Sequence, residues 1–415
     1  MSDRHSRREH TGSGLGLLLP AMVLASGLGY VVQVVVPFIA GTKDYVEFTA
    51  FWSALFFGVA VLSGIQQEVS RAVRNEPPTS GTGVLKRYTL SIVACCTLVG
   101  VVGGLALSSV VATPQVVVVV GALTIGLVGF AFLAVFAGAQ FGTGSWIGAA
   151  SAAVADPLVR ALLVGAIAVA FFISAVRPSI DMLLFAAAAP FALAAGALIL
   201  LYKPQRRGAI SVDVGLRRMV RNTGYTVAAA AAMGFITAGL PLLVSIMGRR
   251  ESAGLVAGTL LVVTLARAPL VSPMLALQSY LTVRFRGDPA AIPRRVAFLC
   301  LVLIVAAGVL AAGGALVLGP LVGAFLPTYM LPNSATIVAI IGSAGFVACQ
   351  FVTAPALLAR GQHRMYTAGW VASAIVLVSL VLLPISFEIL LMLAMLVPPL
   401  VGLGVHAVGL RRFPA

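Results

Sequence analysis

The sequence predicts an all-α, polytopic membrane protein of twelve transmembrane helices arranged as two six-helix lobes. Three observations lead there. The composition is 60% hydrophobic and 9% charged, with a mean hydropathy of +1.08, whereas a soluble domain carries roughly 25% charged residues. The apolar residues fall in long stretches, each near the roughly 20 residues needed to cross a bilayer as a helix. The 27 Lys and Arg residues crowd into alternate gaps between those stretches, as short basic loops do when they resist translocation.

Taken in order, the spans have approximate limits 15–40, 47–69, 88–111, 115–138, 146–173, 179–202, 222–246, 252–277, 295–318, 333–357, 365–384 and 387–409. Each must be helical, because a backbone in lipid has to satisfy its own hydrogen bonds. The first apolar run is too long for a signal-peptide core, so it is a span in its own right. The basic gaps hold Arg4, Arg7 and Arg8, then Arg71, Arg74, Lys86 and Arg87. Lys203, Arg206, Arg207, Arg217, Arg218 and Arg221 come next, followed by Arg284, Arg286, Arg294 and Arg295. Arg360, Arg364, Arg411 and Arg412 complete the series. The intervening gaps carry only Lys43, Arg177, Arg249 and Arg250. Both termini are therefore expected in the cytoplasm and the chain in the plasma membrane.

The remaining connections are short, apart from a basic linker at 203–221. It separates an N-terminal lobe (15–202) from a C-terminal lobe (222–409), with tails at 1–14 and 410–415. The halves share features. Gln33-x3-Pro37 with Glu47 beyond it parallels Thr237-x3-Pro241 with Glu251 beyond it. Gln66, Gln67, Glu68 and Arg71 end the second span as Gln278 and Arg284 end the eighth. Gln140 precedes Trp146 as Gln362 precedes Trp370. Two parallel repeats with a site between halves is the arrangement of many carriers.

Several classes are excluded. The net charge of +15 sits at membrane boundaries with little aromatic interleaving, which fits loop retention and anionic lipid headgroups rather than nucleic acid. Cys95, Cys96, Cys300 and Cys349 lack the spacing of a metal site or disulfide framework and read as small buried hydrophobes. No Walker A loop, dinucleotide Gly pattern or His-Glu-x-x-His is present. The chain has no room for a soluble catalytic domain, so no enzyme, metal or cofactor is expected.

The candidate functional residues are the polar ones inside spans. Arg267 lies near the middle of the eighth span, where an Arg costs about 2.5–3.5 kcal/mol on insertion scales. At helical spacing it shares a face with Val271, Met274 and Gln278. The alternative is a structural Arg on carbonyls freed by Pro269 or Pro273. Asp156 and Arg160, four apart, meet on one face of the fifth span, beside Pro157, which removes a hydrogen bond to Ala153 and should bend the helix. They form either a self-neutralising pair or a site in which Asp156 couples an ion, or releases Arg160 to an anion. Gln67 and Arg71 share a face at the end of the second span, with Glu68 to one side, as an interfacial cap or a gate. Gln33 lies inside the first span with Tyr30 and Pro37. His406 reads as an interfacial histidine rather than a proton relay.

Gly64-Ile-Gln-Gln-Glu-Val-Ser-Arg-Ala-Val-Arg74 resembles the end of the second helix in actinobacterial polysaccharide-biosynthesis membrane proteins. These belong to the multidrug/oligosaccharidyl-lipid/polysaccharide (MOP) flippase superfamily. Asp156-Pro-Leu-Val-Arg160 and Leu358-Ala-Arg-Gly-Gln-His-Arg364 are similar to the same group. The resemblance implies a V-shaped pair of six-helix lobes working by alternating access. It further implies a polyprenyl-(pyro)phosphate-linked sugar carried from the inner to the outer leaflet, with glycosyltransferases of the same pathway as partners. Two deep arginines suit a phosphate, which guanidinium binds bidentately. Here they are fewer than in those family members whose cavity is lined with several basic residues, so a monophosphate-linked or small headgroup is compatible. Arg267, Arg160, Gln33, Gln278 and Gln67 are then the expected substrate contacts, and Asp156, Glu68 and Arg71 the coupling or gating residues.

The competing readings are a multidrug or small-molecule exporter and a membrane-embedded glycosyltransferase. The loop from Arg71 to Arg87 lacks the Gly-x3-Asp-Arg-type signature of a major facilitator. The acidic residues of the outer side, Asp44, Glu47, Asp181, Glu251 and Glu388, all lie close to span ends. An embedded transferase typically carries its acidic residues in sizeable external loops.

Overall fold

The computed structural model describes residues 3–74, 83–109, 115–202, 211–212, 215–286 and 289–412. The helices in chain order are α1 (Asp3–Ile39), α2 (Thr42–Ala72), α3 (Gly83–Ser108), α4 (Val116–Gly142), α5 (Trp146–Ser174) and α6 (Ile180–Leu201). There follow α7 (Leu216–Thr237), α8 (Leu240–Met247), α9 (Ala253–Arg286), α10 (Ile292–Phe325), α11 (Ser334–Ala359), α12 (His363–Val381) and α13 (Phe387–Arg412). Among the described residues eleven of these are long and apolar enough to cross a membrane. The twelfth span, expected at 222–246 as one helix, is the pair α7 and α8, bent by 52° at the break.

The departure from an all-helical chain is small. Val73–Arg74 (β1) and Ser211–Val212 (β2) form a two-residue antiparallel ladder, Val73 opposite Val212. The linker expected at 203–221 is shorter than predicted, because α7 begins at Leu216 and carries Arg217, Arg218 and Arg221 in its first turns. Lys203, Arg206 and Arg207 lie outside the described residues, as do the connection at 112–114 and the Asn75 to Pro78 loop. The loop expected from Gly319 to Pro332 is also shorter, since α10 continues through Pro320 to Phe325. At 1.5 Å per residue its 34 residues run about 51 Å, well past a hydrocarbon core of about 30 Å.

Contacts divide the chain into two compact units. Residues 1–39 and 54–231 make the first, 40–53 and 232–415 the second. The helix pairings recur within each. In the first unit α3 packs on α4, α4 on α6 and α5 on α6; in the second α10 packs on α11, α11 on α13 and α12 on α13. Small residues allow this packing, the usual device where lipid offers no hydrophobic drive. A Cβ on Gly100 or Gly104 of α3 would stand 2.7 Å from the Cα of Thr124 or Val120 in α4.

Met219 of α7 is fully buried in the first unit's core with Ile65, Val69, Tyr88 and Ala134. In the second unit α11 is the most enclosed helix, with 78% of its most apolar window buried. Peripheral helices such as α5 and α10 present Leu162, Phe172, Val309 and Leu316 outward, as lipid-facing surfaces do.

The break between α7 and α8 would strand backbone groups in hydrocarbon. Ser53 of α2 repairs it. Its hydroxyl donates to the Ala238 carbonyl at 2.5 Å and accepts from the Leu242 amide at 3.0 Å. Ser53 is 1% exposed, so no water substitutes. Replacing Ser53 by Ala should cost about 1–3 kcal/mol, the penalty of leaving a buried polar group unpaired. Ser53→Thr, which keeps the hydroxyl, should retain more stability. Melting temperatures of the purified variants in nanodiscs check this, and equal losses for both would refute the role of the hydroxyl.

Candidate functional site

In the first unit the fifth helix supplies Asp156 and Arg160, and helical spacing brings them together as expected. Arg160 Nη2 lies 3.0 Å from Asp156 Oδ2, and Arg160 Nε donates to the Ala187 carbonyl of α6 at 3.1 Å. The guanidinium also sits over the rings of Phe191 (4.5 Å) and Phe56 (5.0 Å), a cation–π arrangement that gains strength when desolvated. At 2% exposed, Arg160 is among the largest fully buried side chains. Four protein groups therefore hold this charge, and α5 continues as one helix through Pro157.

At the Arg-rich end of α2, Arg71 departs from the expected pairing of faces. It turns to Glu68 rather than lying along Gln67, donating through Nε at 2.9 Å and Nη2 at 2.6 Å to the two carboxylate oxygens. Residues three apart are neighbours on a helix just as those four apart are, and the carboxylate decides the direction. Glu68 is 2% exposed and also accepts from Asn222 Nδ2 of α7 at 3.1 Å. One turn on, the Thr226 hydroxyl donates to the Gly64 carbonyl at 2.9 Å, and Tyr88 and Thr223 hydroxyls meet at 2.7 Å. Gln67 is exposed. Gln33 on α1 is half-buried, and its amide makes no hydrogen bond to a described residue.

In the second unit Arg267 sits deep in α9, buried at 7% exposed. Among the described residues no carboxylate pairs with it; Nη1 approaches Met395 Sδ of α13 at 3.5 Å. Gln278, nearer the Arg-rich end of the same helix, reaches Met233 Sδ at 3.9 Å.

The two arginines occupy related places although they come from different helices. Each lies against the sixth helix of its unit, three residues before a proline: Ala187 before Pro190 in α6, Met395 before Pro398 in α13. The difference is charge. Asp156 neutralises the first, whereas among the described residues the second has a thioether as its hydrogen-bond partner.

Sequence reasoning missed a buried polar cluster joining α11, α12 and α13. Gln350 Nε2 donates to Ser373 Oγ at 3.0 Å, and Ser373 donates onward to the Pro398 carbonyl at 2.8 Å. Thr353 Oγ1 lies 2.8 Å from His406 Nδ1, and His406 Nε2 lies 3.3 Å from the Tyr366 carbonyl. His406 is fully buried, with its ring 6.2 Å from that of Trp370. Its ring is enclosed by protein, under two turns before the end of α13 at Arg412. The only available signal was several polar residues in adjacent spans, and each alone is ordinary. Trp370 lies well inside α12 whereas Trp146 opens α5, so the two tryptophans are not equivalent markers. All four cysteines are free; Cys95 is exposed, against the expectation of burial, while Cys96 and Cys349 are buried. Among the described residues no group of three His, Cys, Asp or Glu could hold a metal ion.

No family model matches the chain. It is 30% identical over 381 residues to the uncharacterized protein MT1558/MT1560 of Mycobacterium tuberculosis (strain CDC 1551 / Oshkosh), covering 88% of this chain and 84% of that protein. It is 30% identical over 382 residues, with the same coverage, to the uncharacterized protein Mb3654 of Mycobacterium bovis. Among solved structures it is similar to the lipid II flippase MurJ in an inward closed conformation. That match has a TM-score of 0.67 at 13% identity, over 96% of this chain and 88% of that one. It is also similar to a multidrug resistance MATE family transporter of the MOP superfamily in an inward-facing conformation. There the TM-score is 0.64 at 12% identity, over 94% of each chain. A eukaryotic MATE transporter, AtDTX14, gives 0.62 at 13% identity, over 96% of this chain and 95% of that one. The fold is therefore that of these multi-pass membrane proteins, as the resemblance of the motifs implied.

Asp156→Asn should destabilise the protein by about 3–5 kcal/mol, because it leaves a buried guanidinium uncompensated. The double variant Asp156→Asn/Arg160→Met should recover most of that loss. Thermal unfolding in nanodiscs measures both; a single variant as stable as the wild type would show that the pair is not neutralising.

Proposed function

We propose that this chain, which belongs to the same family as the uncharacterized mycobacterial proteins, is a flippase for a polyprenyl-phosphate-linked sugar or oligosaccharide used in cell-envelope polysaccharide biosynthesis. One observation carries the reading: Arg267 is a buried guanidinium deep in a span with no carboxylate partner among the described residues. A charge in that position is costly and is retained where it meets an anion or a hydrated path. A phosphate-bearing headgroup supplies that anion, and its prenyl tail stays in lipid.

The other assignments are part of the same proposal. Gln278, one face along α9 toward the Arg-rich end, lines the approach to Arg267, with Gln33 and Gln67 as further polar contacts. For the headgroup to reach Arg267, the α9–α13 contact at Met395 has to part. Arg160 becomes available to an anion only when Asp156 releases it, so this pair couples or resets the cycle. Glu68 and Arg71, tied to Asn222 of α7, act as a gate at the Arg-rich end. The alternation of basic loops supports a plasma-membrane orientation with both termini in the cytoplasm. Glycosyltransferases of the same pathway are the natural suppliers of the cargo, and the chain itself performs no bond chemistry.

A second reading is export of a small molecule or drug, favoured by the MATE transporters among the similar structures. The net charge of +15 and the scarcity of acidic residues within spans speak against cationic drugs. Purified protein in liposomes, given a fluorescent polyprenyl-phosphate sugar, separates the two. Arg267→Ala should slow flipping about tenfold to hundredfold, the equivalent of one hydrogen bond to a charged group at roughly 1.5–3 kcal/mol. Arg267→Lys should retain part of the rate. Undiminished flipping by Arg267→Ala would reject the assignment, and dye efflux without flipping would favour export.

A further inference from the structure

We infer that Met395 latches the resting site: its thioether holds Arg267 weakly enough for an anion to displace it. The inference rests on the reading of Arg267 as the residue that meets the cargo's phosphate, and it adds what keeps that guanidinium in place when no cargo is bound. Arg267 Nη1 donates to Met395 Sδ at 3.5 Å, and both side chains are buried. A thioether is a weak acceptor. A carboxylate or phosphate binds a guanidinium far more strongly, through two parallel bonds. A leucine of similar bulk would offer no acceptor at all. Methionine stands between these extremes, filling the space and capping one N–H without competing with an anion.

The first unit shows the alternative. There the residue three before the proline of the sixth helix is Ala187, and Arg160 Nε donates to its backbone carbonyl at 3.1 Å. Asp156 completes the closure, with Oδ2 at 3.0 Å from Nη2. A bond to the backbone breaks only when a helix moves. Met395 holds its arginine through a flexible, unbranched side chain, so a change of rotamer releases it.

The two helices that meet at this contact are also interrupted there. Proline lacks the N–H that closes the helical bond four residues back, and its ring crowds that turn. α9 carries Pro269 and Pro273 within two turns after Arg267, and α13 carries Pro398 and Pro399 about one turn after Met395. The helices around Arg160 have one such proline each, Pro157 in α5 and Pro190 in α6. Helices weakened on both sides of a contact bend there at less cost than regular ones. The latch therefore sits where the second unit yields most easily.

The test is the rate at which phenylglyoxal, an arginine-directed dicarbonyl, labels Arg267 in the full-length, cargo-free protein in nanodiscs, read by peptide mass spectrometry. M395L should be labelled about two- to tenfold faster than wild type, the range of one ordinary hydrogen bond. M395E supplies a carboxylate and should be labelled on the order of a hundredfold more slowly, because a buried ion pair is broken at much greater cost. M395Q, whose amide oxygen is a stronger acceptor than a thioether but carries no charge, should fall between wild type and M395E. A polar side chain that merely disturbed packing would speed labelling in M395E and M395Q alike. That result, or labelling of M395L at the wild-type rate, would overturn the proposal. M395L and M395Q keep the measurement decisive should M395E fail to fold. Flipping of the fluorescent polyprenyl-phosphate sugar is measured alongside, and its loss in M395E supports the latch and the flippase together. Labelling in the expected order with no flipping by any protein, wild type included, supports the latch and rejects the flippase.

Discussion

A hydrocarbon layer neither hydrates a charge nor completes an interrupted backbone, so each irregular feature of a spanning chain must find its complement in protein. The buried guanidinium of Arg160 shows the full cost of meeting that demand: a carboxylate, a carbonyl and two aromatic faces surround it. Arg267 shows the demand left open. Among the described residues its hydrogen-bond partner is a thioether rather than a carboxylate. Such an arrangement persists because the rest of the span inserts favourably enough to carry its cost.

The two repeats therefore share a framework and differ in electrostatics. Third, fourth, fifth and sixth helices pair alike in both, and a guanidinium lies beside the sixth helix at a matching level. One copy is closed by its own carboxylate. The other is open, and its unit also carries the polar cluster of Gln350, Thr353, Ser373 and His406.

Most of the architecture was legible in the sequence. Span number and order followed from hydropathy and from the alternation of Arg and Lys. The Asp156–Arg160 contact followed from a separation of four residues. What periodicity could not supply was the facing of each helix, since a lipid-exposed stripe and a protein core are both apolar. So Glu68 was set to one side of Arg71, although it binds it. His406 reads from the sequence only as a polar residue near the end of the last span, and the packing of α11 and α12 around its ring was not visible there. The break after Thr237 was equally hidden: Gly239 and Pro241 permit a kink, but only the Ser53 hydroxyl shows where the backbone is opened. Gln350 and Ser373 passed unnoticed because single amides and hydroxyls are common in spans and become a cluster only when three helices meet.

The repair of that break has a mechanical meaning. A single hydroxyl serves as both acceptor and donor across the interruption, so α2 and the seventh span are pinned at that level. Separation at that level would expose two backbone groups to oil at once, whereas separation nearer either membrane face would let water in to take their place. Ser53 thereby fixes the register of α2 against α8, since sliding one past the other would break both bonds together.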